Sequence, residues 1–555
     1  MITGTPDATR PPLRIEGLNV AFASPSGDRT VLHDIDLTLE RNEIIGVVGE
    51  TGAGKSVLAR AMIDLLPPGA RRTGGRVLLE GRDLGEMAEA ERRMVRGGVA
   101  SLIGTNAKAL LDPVVTVGDQ IVRVLRGHRR VSAAEARRRA VKLLGDVGIV
   151  DPELRANAYP HELSGGMAQR VVIAMALIAE PRIVIADDAT LGLDATVSAQ
   201  VLDMLVERSR ARGVSVVLIT HDLGIIAHYC TRVAIMRRGR IEEIRDVRGF
   251  LEAPSARYGR ELLEAARARP TPSVPRAGRR EPPLLEVSNL VRLFPGSRPG
   301  EIVRAVDDVS FSVNRGETLA LVGESGSGKT TVGQCLVRLL QATSGTIRFD
   351  GNDVTSLGET RFRPLRRRIQ MVFQEPYVAL NPRWRVRELI DEPIRKLERK
   401  SATERLRRVH EALELVDLSS RHGDLFPHEL TAGEQKRIGM ARALATRPDF
   451  VVFDEPTTAL DIRVRAQIID LVRDLQSRMR LSALFITHDL NSVRSLAHDV
   501  AVMNRGRIVE SGPMKSVFEN PRDPYTVRLL SAELAIEREA EARGVGAAQA
   551  TRAFP

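Results

Sequence analysis

The sequence repeats itself. A glycine-rich GETGAGKS begins at Gly49 and GESGSGKT begins at Gly323. PHELSGG begins at Pro160 and PHELTAG at Pro427, and ITHDL holds His221 in one copy and His488 in the other. From the PHEL segment onward the copies keep one offset, 267 residues from Pro160 to Pro427 and again from His221 to His488. Between the two glycine-rich loops the offset is 274, so a net seven residues of insertion or deletion separate the motifs. A period this long marks a duplicated domain, because solenoid repeats run about 20–50 residues. Whatever fold one copy takes, the chain must build it twice.

The joint between the copies is legible in composition. Ala265 to Pro283 (AARARPTPSVPRAGRREPP) is rich in Pro and Arg and lacks an apolar period, which reads as an extended, semi-rigid linker. The expected organisation is a first domain over 1–264, a linker over 265–283, a second domain over 284–532 and a C-terminal tail over 533–555. Within a copy, IIGVVGE, RIVIADD and VSVVLIT have the unbroken hydrophobicity of parallel strands buried on both faces. Between the glycine-rich loop and the PHEL segment the sequence turns helical and charged, as in SAAEARRRAVKLLGDVGI from Ser132 to Ile149. The predicted fold class is α/β: two P-loop nucleotide-binding domains in tandem, each with a helical subdomain.

The loop spacing GxxxxGK[ST] carries chemistry. Its glycines let successive backbone N–H groups point into one cradle at the start of a helix, where phosphate is favoured. In the first copy the cradle is Gly49, Glu50, Thr51, Gly52, Ala53, Gly54, Lys55 and Ser56. In the second it is Gly323, Glu324, Ser325, Gly326, Ser327, Gly328, Lys329, Thr330 and Thr331. Lys55 and Lys329 are expected to reach the β- and γ-phosphates of ATP, and the Ser56 and Thr330 hydroxyls to bind Mg²⁺. In VVFDEPTTALD, from Val451, an apolar strand ends in Asp454, a carboxylate for the metal, with Glu455 beside it to polarise a water. His488 ends another apolar strand; alone a His there is more often a capped or packed residue, but among these motifs it reads as catalytic. Gln374, in MVFQEP, is the amide expected to link metal, water and helical insertion.

Composition excludes several other classes. The 82 Lys and Arg against 71 Asp and Glu leave a formal charge of +11, but only 8 of the basic residues are Lys. A solvated basic surface is the plainer reading, with an anionic membrane face or nucleic acid as the other. Aromatics make up 3% of the chain, too few for the stacking platforms of single-strand nucleic-acid grooves. Cys230 and Cys335 are the two cysteines and form no CxxC pair, which argues against a disulfide framework, a zinc ribbon or an iron–sulfur cluster. A spanning helix needs about 18 apolar residues, and the longest candidate, Val171 to Ala179, stops at Glu180-Pro181. The N-terminus lacks the apolar region of a signal peptide, so the chain is expected to be cytosolic.

Together these motifs resemble the ATP-binding-cassette family over nearly the whole chain. LSGGMAQR (Leu163–Arg170) and LTAGEQKR (Leu430–Arg437) correspond to the family's signature segment. The resemblance implies that each ATP is held between one cassette's phosphate loop and the other's signature. Ser164, Gly165 and Gly166 would then serve the nucleotide on Lys329, while Thr431 and Gly433 would serve the one on Lys55. Phe22 and Phe294 lie where the family stacks an aromatic on adenine, although an apolar strand residue explains them equally. A narrower resemblance is to the peptide/nickel-uptake branch. It rests on GESGSGK, on Leu380-Asn381-Pro382 with its counterpart Leu111-Asp112-Pro113, and on PRDPYTVRLL from Pro521. The first copy ends in PSARYGRELL from Pro254, which departs from the branch's His-Pro-Tyr-Thr at three of four places. The cysteine cluster that some relatives carry after the Tyr is missing, so no iron–sulfur cluster is inferred.

Comparing the copies exposes losses at one of the two implied sites. Aligning Leu111-Asp112-Pro113 with Leu380-Asn381-Pro382 puts Thr105 opposite Gln374. After Asp187, the counterpart of Asp454, comes Asp188 in place of Glu, and PTTALD becomes ATLGLD, Ala189 to Asp194. The signature implied to face Lys55 has Thr431 for Ser and Ala432 for Gly. The expected function is that of the ATP-hydrolysing subunit of a bacterial importer for peptides or a related small solute, with one degenerate and one active site. It implies two membrane-spanning permease subunits and an extracytoplasmic solute-binding protein, with the chain peripheral on the cytoplasmic face of the inner membrane. The alternative, a soluble tandem-cassette ATPase on ribosomes or nucleic acid, fits the charge but not the short Pro-rich linker.

Overall fold

The computed structural model describes residues 10–23, 27–105, 107–190, 195–267, 282–296, 300, 302–375, 379–458 and 460–531. They fall into two compact units that divide near Arg267. The first contains β1 (Leu13–Phe22), β2 (Arg29–Leu39), β3 (Ile44–Gly49), β4 (Ala70–Leu79), β5 (Arg82–Asp83), β6 (Ala100–Ile103), β7 (Ile183–Asp187), β8 (Ser215–Ile219), β9 (Arg232–Arg237) and β10 (Arg240–Asp246). One antiparallel sheet has the order β2-β1-β4-β5; a second, six-stranded sheet has the order β10-β9-β3-β8-β7-β6. The six-stranded sheet is parallel except where β10 pairs antiparallel with β9.

Both faces of that sheet are covered. Every residue of β3, β7 and β8 is buried, as their unbroken apolar runs predict. Alternate side chains serve different cores. Ile45 and Val47 join Leu13, Leu37 and Leu58 beneath the antiparallel sheet. Ile44 and Val48 join Ile121, Leu144 and Ile173 of the helical side. The helix Ala133–Asp146 starts at Ser132, whose hydroxyl accepts the Glu135 N–H at 3.2 Å, and it buries Ala136, Ala140, Leu143 and Leu144 on one stripe.

The second unit repeats this plan. Its strands are β11 (Leu285–Pro295), β12 (Ile302–Val313), β13 (Thr318–Val322), β14 (Ser344–Phe349), β15 (Asn352–Asp353), β16 (Ile369–Val372), β17 (Phe450–Asp454), β18 (Ser482–Thr487), β19 (Asp499–Asn504) and β20 (Arg507–Pro513). The sheet orders are β12-β11-β14-β15 and β16-β17-β18-β13-β19-β20, each strand ten places after its counterpart. The pairs Ala100↔Ile183 and Ile369↔Phe450 have the same register, which supports the alignment of Thr105 with Gln374.

One boundary is corrected. The expected linker begins at Ala265, but the helix Arg257–Arg267 runs through its first three residues. That helix is amphipathic and buries Leu262 and Leu263, and Ala266 packs on the same core. Packing therefore extends the helix into a stretch whose composition reads as linker. Residues 268–281 of the linker, and the tail over 533–555, lie outside the described residues.

Candidate nucleotide-binding sites

In the second unit β13 runs into the phosphate loop, and the helix Lys329–Leu336 leaves it. Gly328 has φ +103°, and a Cβ there would lie 2.1 Å from the Ala305 carbonyl oxygen, so only glycine fits the turn. Lys329 is 5% exposed. Its ammonium donates to the carbonyls of Gly323 and Glu324, both at 2.8 Å, and to the Ser327 hydroxyl at 3.3 Å. The Thr330 hydroxyl donates to the Asp454 carboxylate at 3.0 Å. Thr330 and Asp454, two of the residues expected at the metal, are thus brought into contact.

Glu455 follows β17 with φ +45°, in the left-handed region that a residue other than glycine seldom adopts. Its carboxylate accepts from the Gln374 amide at 2.9 Å and the Thr458 hydroxyl at 3.0 Å, and His488 Nδ1 lies 3.4 Å away. Burial pushes this carboxyl up, but His488, Lys329 and Thr458 more than offset it and hold it below the usual range. It is ionised at neutral pH, as a general base must be. Asp454 goes the other way: burial, with the Glu455 charge adding to it, pushes it up to about 6.

A buried carboxylate hydrogen-bonded to one hydroxyl, and still pushed up despite the Lys329 and Lys436 charges, suits a hard divalent cation. In the first unit burial likewise raises Asp187, with Ser56 hydrogen-bonded to it, and its Oδ1 has no partner among the described residues. Those residues contain no cluster of three His, Cys, Asp or Glu suited to a metal. These observations fit Mg²⁺ held by Thr330 and Asp454, or by Ser56 and Asp187, with nucleotide oxygens and water completing the shell. When bound, the ion would neutralise charge on the phosphates. Because a proton and the cation compete for Asp454, Mg²⁺-supported ATP binding at this unit is expected to weaken as pH falls through about 6 and to level off above it. Titrating a Lys55→Ala chain with fluorescent ATP between pH 5 and 8 measures this.

The first unit has the same loop and fewer partners. Lys55 donates to the carbonyls of Gly49 at 2.7 Å and Glu50 at 2.9 Å, and burial lowers its pKa. Asp188 takes the position of Glu455 with nearly the same φ, +46°, and reaches His221 Nδ1 at 3.1 Å. Thr105 lies two residues past β6, as Gln374 lies two past β16, but its short hydroxyl replaces the amide. Thr458 has Leu191 as its counterpart, a side chain with no hydroxyl; residues 191–194, with Gly192 to Asp194 of the expected motif, lie outside the described residues.

The signature segments differ as well. Ser164 caps the helix Gly165–Leu177 by accepting the Met167 N–H at 3.3 Å, and Ser164 and Gly165 are exposed. Thr431 caps the helix Ala432–Leu444, but Glu434 turns back on it, accepting the Thr431 N–H at 2.8 Å and its hydroxyl at 2.7 Å. Burial raises the Glu434 carboxyl, yet the bonds from Thr431 outweigh it and keep it ionised. Gly433 fits close against Val464, whose Cγ1 would lie 2.7 Å from an added Cβ. Phe22 ends β1 and Phe294 is the last residue but one of the equivalent strand β11, both half-buried, with the Arg292 guanidinium 4.6 Å from the Phe294 ring.

Sequence reasoning missed Lys436. It is 5% exposed in the signature helix, and its ammonium donates to the Gln374 carbonyl and, at 3.4 Å, to the Glu455 carbonyl. Burial pushes it down to about 8, against the pull of Glu455, Glu375 and Asp454. Its counterpart, 267 residues earlier, is Gln169, whose amide donates to the carbonyls of Gly104 at 3.1 Å and Ala189 at 2.9 Å. The constant offset held the signal: a charge stands in one copy where the other has an amide.

Known proteins resemble this chain from end to end. Residues 32–191 and 306–458 match the family ABC_tran, described as ABC transporter. "Peptidoglycan transport ATP-binding protein YejF" of Agrobacterium fabrum is 42% identical over 536 residues, 95% of this chain and 97% of its own length. "Glutathione import ATP-binding protein GsiA" of Salmonella choleraesuis is 39% identical over 558 residues, 94% of this chain and 90% of its own length. Among solved structures, a dimeric bacterial ABC transporter cassette, MJ0796, is 27% identical and covers 41% of this chain and 98% of its own, with a TM-score of 0.39. With two phosphate loops, each beside a strand-end Asp, a following acid and a His, the chain belongs to the ABC transporter family and is an ATPase of two cassettes in tandem.

Proposed function

We propose that this ATPase energises an importer for peptides or a related small solute, working with two membrane-spanning permease subunits and an extracytoplasmic solute-binding protein. The observation behind this reading is the end-to-end likeness, at 42% and 39% identity, to proteins named for peptidoglycan transport and glutathione import. Among the described residues no helix is long and apolar enough to cross a membrane, and in this reading the spans belong to the permease subunits. A cleft of about 210 Å³ beside the Gln374 loop, lined by Phe373, Leu380, Pro393, Leu397 and Lys436, offers a partly apolar seat for a short helix of a permease. The chain would then sit peripherally on the cytoplasmic face of the inner membrane.

The two ATP sites divide the work in this reading. The Lys329 loop, with Gln374, Asp454, Glu455 and His488, hydrolyses ATP. Glu455 draws the proton from a water that His488 helps hold in line. The Lys55 loop keeps ATP and turns it over slowly. Three features support the division. Asp188 is one methylene shorter than Glu, Thr105 lacks the amide, and the Thr431 hydroxyl is engaged by Glu434.

The partner reading is tested by fractionation. Co-expressed with its cognate permeases, the chain is expected in the membrane fraction, and expressed alone it is expected outside it. Co-sedimentation with ribosomes that RNase abolishes would overturn the importer reading and favour action on nucleic acid.

A further inference from the structure

The segment PRDPYTVRLL, from Pro521, lies outside the strand-end motifs that form the phosphate site. It follows β20 and the short helix Met514–Glu519, and its turn is tightly held. The Glu510 carboxylate accepts the N–H groups of Arg522 at 2.9 Å and Asp523 at 3.1 Å, and Asp523 in turn accepts the Tyr525 N–H at 2.8 Å. The helix Pro524–Ser531 starts there, and the Tyr525 ring enters one apolar cluster with Val322, the last residue of β13, and with Val502. Tyr525 is 7% exposed. At its far end the hydroxyl accepts the backbone N–H of Glu324, in the phosphate loop, at 2.9 Å.

That N–H belongs to the peptide unit whose carbonyl is Gly323's. Lys329 holds the carbonyl side of this unit at 2.8 Å while Tyr525 holds the N–H side. Gly323, at φ +151°, cannot gain a side chain to stiffen the turn, because a Cβ would lie 2.1 Å from the Met503 carbonyl oxygen. When nucleotide arrives, the Lys329 ammonium leaves for the phosphates and the carbonyl loses its partner. Only the N–H side then remains pinned by these two groups.

The first unit supplies the contrast. Glu243 anchors the equivalent turn through the N–H groups of Ser255 and Ala256, both at 2.9 Å, and Lys55 holds the Gly49 carbonyl at 2.7 Å. Tyr258 is fully buried there with the Arg237 guanidinium 4.9 Å from its ring, yet its hydroxyl has no hydrogen-bond partner among the described residues. The scaffold is repeated and the hydrogen bond to the loop is not.

We propose that Tyr525 is a positioning residue for nucleotide binding: its hydroxyl fixes the Gly323–Glu324 peptide, so that the second phosphate loop keeps its receiving shape as Lys329 moves to the nucleotide. The inference rests on the loops binding ATP and is independent of the solute, the permeases and the division of labour between sites.

The test measures ATP affinity by fluorescent-nucleotide titration of the purified full-length chain. A Lys55→Ala background isolates the second loop, and a Lys329→Ala background isolates the first. Tyr525→Phe keeps the ring and its packing and removes one hydrogen bond, so Kd for ATP is expected to rise about threefold to tenfold in the first background. Tyr258→Phe in the second background removes a hydroxyl that holds nothing, and Kd is expected to stay within about twofold. A Tyr525→Phe chain with unchanged Kd overturns the proposal, whether or not its thermal midpoint falls. Equal rises for both variants overturn it too, since a general packing effect of the tyrosine would act on both units.

Discussion

Glu455→Gln is expected to preserve ATP binding and to cut steady-state ATP hydrolysis roughly 10²-fold or more, the scale of a lost general base. The substitution keeps side-chain length and hydrogen bonding but removes the negative charge that takes the water's proton. Its surroundings are built for a carboxylate. Gln374 and Thr458 donate to it at 2.9 and 3.0 Å, and His488 lies 3.4 Å away. Asp188→Asn makes the same chemical change in the first cassette. There the carboxylate is one methylene shorter on a backbone of almost the same φ, +46° against +45°. A shortfall of about 1 Å at a reacting centre can cost about 10²-fold. Most of the hydrolysis rate is therefore expected to survive Asp188→Asn, although transport can fall through weaker coupling. The decisive quantity is the ratio of the two single mutants' rates in the assembled transporter. Equal losses would mean that both sites hydrolyse equally and that the substitutions at Thr105, Asp188 and Thr431 have no catalytic consequence. Asp188→Glu alone is not expected to restore the first site, because Thr105, Thr431 and Ala432 remain.

The parts of this architecture that follow from repetition and from unbroken apolar runs were legible without coordinates. The duplication places every strand of the second unit ten positions after its counterpart, and the buried runs at Ile44–Gly49, Ile183–Asp187 and Ser215–Ile219 became parallel strands. Motif spacing brought together Lys329, Thr330, Asp454, Glu455 and His488 because each motif ends a strand of one sheet, and parallel strands gather their C-terminal ends at one edge. Hydrogen bonds between distant segments were not legible. Tyr525 meets Glu324 across 201 positions, and Lys436 reaches the Gln374 carbonyl across 62, with no local pattern to announce either. The Thr431–Glu434 box was readable in principle, since a hydroxyl and an acid three apart at a helix start form a capping pair. It was overshadowed by reading the same residues as a signature. The helix that extends to Arg267 shows the opposite error, in which composition outvoted an amphipathic stripe set by Leu262 and Leu263.

Lys436→Met is expected to lower turnover at least about tenfold with little change in ATP affinity, whereas Lys436→Gln stays within about threefold of wild type. An ammonium 5% exposed has lost most of its hydration and is tolerable only if its hydrogens are used. It uses them on two backbone carbonyls, those of Gln374 and Glu455, which flank the attacking water's place in the proposed mechanism. Methionine has similar length and packs in the same space, but it leaves both carbonyls without this donor. Losing the hydrogen bond to the partly buried Gln374 carbonyl costs about 0.5–1.5 kcal/mol, which that segment relieves by shifting, while the Glu455 carbonyl keeps the Thr458 N–H at 3.3 Å. The shift moves the Gln374 amide and the Glu455 carboxylate, which lie 2.9 Å apart, out of register with each other. Glutamine cannot supply the charge but can supply the donor, as Gln169 does for Gly104 and Ala189 in the first cassette at 3.1 and 2.9 Å. Wild-type turnover in Lys436→Met would show that the signature helix does not hold the catalytic pair. Equal losses in both variants would shift the role from hydrogen bonding to the positive charge, which lies near Glu455, Glu375 and Asp454. The comparison of the two variants thus separates geometry from electrostatics at the one buried cation that the signature helix contributes to the Gln374–Glu455 pair.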